Sequence, residues 1–73
     1  MGESEERLTG AFALNLRCLR QKRGVTRQVA ADFCGASKSA WSRYESGERV
    51  PNLETAAKMA DYLGVSIDKL ARG

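Results

Sequence analysis

Apolar residues recur at helical spacing along most of this chain, and no stretch alternates long enough to make a convincing strand. Leu8, Phe12, Leu16 and Leu19 fall at i, i+4, i+8 and i+11, which predicts an amphipathic helix from about Leu8 to Arg23. Arg20, Lys22 and Arg23 crowd its last turn, where cations suit the negative end of the helix dipole, and Gly24 stops it. Thr26 has the chemistry to cap a second helix, Arg27 to Cys34, ended by Gly35. Ser37 caps a third, Lys38 to Ser46, closed by Gly47. After the boundary at Pro51, Asn52 caps a fourth helix whose stripe is Leu53, Ala56, Ala57, Ala60 and Leu63, ending at Gly64. Ser66 caps a short fifth, Ile67 to about Ala71. The expected architecture is all-α: one domain over residues 8–73, preceded by an acidic tail over 1–7.

Composition narrows what such a bundle can do. A chain of 73 residues is one domain, and at this size only about 60% of the unfolded surface is buried on folding. No segment approaches the roughly 20 apolar residues of a membrane span. The opening Met1-Gly2-Glu3-Ser4-Glu5-Glu6 is acidic where a secretory leader is basic. Gly2 lacks the Ser or Thr that a myristoylation motif requires at position 6. A cytoplasmic protein is expected. Cys18 and Cys34 are too few for a disulfide framework and lack metal-ligand spacing. The absence of histidine removes the usual general base and the commonest metal ligand. Neither an enzyme nor a metal or cofactor site is expected.

The net charge of +3 conceals an uneven distribution. Residues 1–6 hold three Glu and no base, residues 7–49 hold nine Lys and Arg against Asp32, Glu45 and Glu48, and residues 50–73 balance at zero. Positive charge clustered on one part of a small domain is the electrostatic footprint of a nucleic-acid binder.

That basic middle holds two short helices joined by a tight turn, from Arg27 to Ser46. Ala31 supplies the small contact that lets two helices cross closely, Gly35 the turn, and Ala30, Cys34, Ala36, Trp41 and Tyr44 the apolar positions. The third helix can then project Lys38, Ser39, Ser42 and Arg43 outward as one polar face. The ordered set Leu16-Arg17, Leu19-Arg20, Arg23-Gly24-Val25-Thr26, Ala31, Gly35-Ala36-Ser37, Trp41 to Gly47, Arg49, Pro51 and Leu63 to Asp68 with Leu70 resembles the Cro and phage-repressor type (XRE) helix-turn-helix family, over residues 16–70.

The resemblance implies a compact five-helix bundle of the lambda-repressor-like type, whose third helix enters the major groove of double-stranded DNA. Carried over position by position, it makes Lys38 and Ser39 the leading base readers, with Ser42 and Arg43 next. Ser37, the cap of that helix, is a further DNA-binding residue of the implied site. Arg27, where the family usually has Gln, falls at the phosphate backbone, and base contacts made through that Gln are in doubt. Ser46, Gly47 and Arg49 grip phosphates, which sets register without reading sequence. Trp41 occupies a core position, Tyr44 is half buried with its hydroxyl free for a phosphate, and Arg20 and Glu45 form a structural pair across helices one and three. The implied protein is a transcriptional regulator, most often a repressor, acting as a homodimer on a palindromic operator; no small-molecule ligand is evident. A protein-interaction module that keeps the scaffold without binding DNA is the competing reading.

The sequence departs from the family in helix two. Ala30 and Cys34 are small where the family is large, and Val29 and Phe33 are apolar where it is polar. Either Phe33 folds inward while Trp41 fills the space left by the small pair, or Val29 and Phe33, i and i+4 neighbours, form an exposed stripe for a partner. Compensation is the favoured outcome.

Overall fold

Four side chains start four of the helices by accepting a hydrogen bond from an otherwise unpaired backbone N–H. In the computed structural model, which describes the backbone from Gly2 to Gly73 and side chains from Gly10 onward, Thr26 accepts from Val29, Ser37 from Ala40, Asn52 from Thr55 and Ser66 from Lys69, at 2.8–3.2 Å. Each such cap is worth about 1 kcal/mol. The elements are α1 (Gly2–Arg23), α2 (Arg27–Phe33), α3 (Lys38–Ser46), α4 (Leu53–Leu63) and α5 (Ile67–Arg72), with no strand among the described residues.

α1 reaches back to Gly2, well before the Leu8 that opens its apolar stripe. A hydrophobic period marks only the part of a helix that faces a core, so the first turns leave no such signal. Leu8 itself lies outside the residues whose side chains are described.

The turn between α2 and α3 closes by a paired C-terminal motif. The Ala36 N–H donates to the Ala31 carbonyl at 2.9 Å and the Gly35 N–H to the Asp32 carbonyl at 3.3 Å. This geometry puts Gly35 at φ 69°, where a side chain would strain the backbone.

The core gathers Phe12 and Leu16 of α1, Ala30, Ala31 and Cys34 around α2, Trp41 and Tyr44 of α3, Met59 and Ala60 of α4, and Leu70 of α5. α1 is the central element, packing on α3, α4 and α5. The Asn15 side-chain amide donates to the Leu70 carbonyl at 3.1 Å, fastening α5 to α1. Ala30, Cys34 and Trp41 are all at most 1% exposed, so the indole does occupy the room left by two small neighbours. Burial pushes the Cys34 thiol up, although Lys58 opposes the shift, which keeps this sulfur protonated and inert.

Four side chains depart from expectation. Tyr44 is buried, at 8% exposure, where a half-buried ring is expected. Leu53 heads the expected stripe of α4 but is 73% exposed, and Met59, absent from that stripe, is fully buried. The stripe is mostly alanine, and one large flexible thioether outweighs small methyls in deciding which face turns inward. Phe33 does not fold inward: it is 70% exposed and lies on Tyr62 of α4, ring centroids 4.9 Å apart, while the Arg23 guanidinium covers Tyr62 at 4.4 Å. With Trp41 already filling the interior, Phe33 finds its apolar contact outside.

Candidate functional site

The site begins beneath α3 with one carboxylate. Glu45, 7% exposed, faces inward on the same side of α3 as Trp41 and Tyr44. Its Oε2 accepts from Arg20 Nε and, at 2.6 Å, from Trp41 Nε1; its Oε1 accepts from Arg20 Nη2 at 3.2 Å and from Arg27 Nε at 3.1 Å. Four donors match the four acceptor positions of an ionised carboxylate. Arg20 also donates through Nη1 to the Val25 carbonyl at 2.8 Å, so one guanidinium ties α1, the loop after it and α3 together. Among the described residues no buried side-chain polar atom lacks a partner. Burial alone would raise the Glu45 carboxyl, but the bonds from Arg20, Trp41 and Arg27 outweigh it and hold the group below the ordinary glutamate value.

The expected Arg20–Glu45 pair is therefore present, enlarged by two members that sequence reasoning assigned elsewhere. Arg27 spends its Nε on Glu45, yet its side chain remains 46% exposed. Trp41 is a core residue, as expected, and also a donor.

The opposite side of α3 faces solvent. Lys38, Ser39 and Arg43 are exposed and Ser42 is half-buried, while Trp41, Tyr44 and Glu45 are buried, the division a 3.6-residue period produces. Ser37 is committed to capping α3. Ser46 donates to the Arg43 carbonyl at 3.0 Å, and its oxygen accepts from the Glu48 N–H at 3.4 Å. Gly47, at φ 84°, ends α3, and Arg49 follows it exposed. Two shallow clefts flank the helix start and the helix end. One, of about 520 Å³, is lined by Arg20, Thr26, Arg27, Gln28 and Lys38. The other, of about 380 Å³, is lined by Arg17, Arg27, Ser42, Arg43, Ser46 and two carboxylates. Arg27 is shared by both. Arg17 and Gln28 are the additions here; Arg17 belongs to the set that carries the family resemblance but is given no site role there, and Gln28 has no cue beyond its place beside Arg27.

This arrangement of a capped helix, a glycine turn and a braced second helix matches a known family over residues 11–73, described as a helix-turn-helix domain. The chain belongs to the helix-turn-helix domain family. The domain is 37% identical over 62 residues to an SPbeta prophage-derived HTH-type transcriptional regulator, YonR, of Bacillus subtilis, covering 85% of this chain and 57% of that protein. It is 39% identical over 56 residues to the cryptic phage CTXphi transcriptional repressor RstR of Vibrio cholerae, covering 74% and 50%. It is 32% identical over 62 residues to the HTH-type transcriptional activator BcrR of Enterococcus faecalis, covering 85% and 30%. The chain spans about half the length of the first relatives it matches. No solved structure gives a significant match. Among the described residues, no helix of the domain is long and apolar enough to cross a membrane.

Proposed function

We propose that this helix-turn-helix domain binds double-stranded DNA in a sequence-specific manner and serves as a transcriptional repressor in the bacterial cytoplasm. The observation that carries the reading is the two-sidedness of α3: Lys38, Ser39, Ser42 and Arg43 on one side, and a buried face locked through Glu45 on the other. A rigid helix with a polar outer face suits a major groove about 12 Å wide. Lys38 and Ser39, at the N-terminal end, reach base edges; Arg27, Ser46 and Arg49 hold phosphates. Relatives named as repressors support the direction of regulation.

Selection of bound duplexes from a random pool tests this reading, and a reproducible palindromic sequence is the expected product. On that duplex, Lys38→Ala relaxes preference at one or two base pairs and costs about 1–3 kcal/mol. Arg49→Ala weakens all sequences alike and lowers the salt slope by about 1. A folded protein that enriches no sequence rules the reading out and leaves the protein-interaction alternative, for which salt should matter little.

The domain works as a pair, because one small module contacts few bases and two half-sites about 34–36 Å apart restore specificity. An apolar groove of about 290 Å³, lined by Phe12, Val50, Pro51, Leu53, Ile67 and Leu70 among others, supports self-association. None of its lining residues belongs to α2 or α3, so a second copy seated there leaves the proposed DNA face free. Leu53→Glu is expected to shift the sedimenting species from dimer to monomer while the fold is kept; an unchanged mass removes the groove from the interface.

A further inference from the structure

We infer that the cleft between α1 and the C-terminal half of α3 is the seat of one DNA backbone phosphate, with Arg17 of α1 as a contact that the helix-turn-helix pair alone does not supply. The inference rests on the DNA-binding reading and adds a site to it.

The cleft brings Arg17, Arg27 and Arg43 from three separate helices onto one opening, with the Ser42 and Ser46 hydroxyls between them. Its two carboxylates do not cancel this charge. Glu45 is saturated by Arg20, Arg27 and Trp41, and Glu48, exposed in the cleft lining, offsets only one of the remaining positive charges. Counting Arg20 behind Glu45, four guanidinium groups stand against two carboxylates. Among the described residues, Arg17 and Arg43 enter no ion pair, and the Nη groups of Arg27 have no hydrogen-bond partner. Elsewhere on the described surface Lys58 pairs with Glu54 and Arg72 with Asp68, one helical turn apart, while Lys22, Lys38 and Arg49 enter no ion pair either, so it is the convergence of three arginines on one opening that distinguishes the cleft. Unpaired planar forks around a polar opening, with hydroxyl donors beside them, fit a phosphodiester oxygen pair.

Position fixes the source of that phosphate. Arg43 and Ser42 stand on the outer face of α3, so a duplex lying along that face must run one strand past the cleft. Arg27, held by its Nε to Glu45, presents its remaining donors without having to be ordered first. The inference also moves Arg43 from base reading to backbone grip.

The test uses a random-sequence duplex, since a phosphate contact is blind to sequence, and measures affinity across a salt series. Arg17→Ala is expected to make the slope of log affinity against log salt shallower by about 0.9, the value of one phosphate contact. Arg17→Lys keeps the slope. Arg72→Ala, an equal loss of charge at a residue that does not line the cleft, leaves it unchanged, and circular dichroism shows all variants folded. An Arg17→Ala protein with the wild-type slope overturns the phosphate seat while leaving the DNA reading intact. Arg72→Ala matching Arg17→Ala reduces the effect to net charge and also overturns it. A wild-type protein that binds no duplex at all sinks both.

Discussion

Glu45→Ala is expected to lower the stability of the domain by about 3–5 kcal/mol, the cost of removing one partner from a buried charge pair. A 73-residue domain holds only roughly 4–11 kcal/mol in total. The loss is large because the deletion strands Arg20, which is 9% exposed, and leaves the Trp41 N–H without an acceptor. A urea melt read by circular dichroism checks it: the midpoint should fall sharply with the slope unchanged. An unfolding free energy within about 0.5 kcal/mol of wild type would show that the network is dispensable. Glu45 also sets a pH dependence. Its carboxyl is held below the ordinary value in the folded state, so its stabilising contribution is full above the unfolded value, about 4.3, and fades as pH falls through the lower folded value. Loss of DNA binding in Glu45→Ala would follow from loss of folded protein, and cooling that restores the fold should restore binding.

Trp41→Ala is expected to be equally severe, at about 3–5 kcal/mol. Truncating a fully buried indole leaves a cavity, and the neighbours Ala30, Ala31 and Cys34 are too small to close it. Trp41→Phe separates volume from hydrogen bonding: it keeps most of the packing and strands one acceptor position of Glu45, which points to a loss nearer about 1–3 kcal/mol. Thermal melts of the two variants should rank them in that order. A Trp41→Ala protein that melts like wild type but loses DNA affinity would make the indole a surface contact, contrary to its burial.

The features legible in the sequence were those with local causes. Thr26, Ser37, Asn52 and Ser66 each act within three residues, so their chemistry places four helix starts without reference to the rest of the fold. The start of α1 lacked such a marker and was missed. Resemblance located the Arg20–Glu45 pair, whose members lie 25 residues apart and carry no local signal of mutual contact. What stayed hidden depends on how helices meet. The rotation of α4 hinges on Met59 against Leu53, a competition among weakly apolar faces. The outward turn of Phe33 depends on Tyr62 being within reach of it, 29 positions away. The bond from Arg27 to Glu45 needs the start of α2 to approach the inner side of α3. Arg17 becomes visible as a cleft residue only when α1 and α3 are seen side by side.

The indole that fills the interior is the chain's single tryptophan, and it shares a carboxylate with a guanidinium that reaches the surface. A strand held at Arg27, as proposed above, would pull on that same carboxylate, so a change in the emission of this tryptophan, the only strong natural fluorophore of the chain, is the expected sign of binding. Such a signal would be readable in ultraviolet emission without attaching a dye.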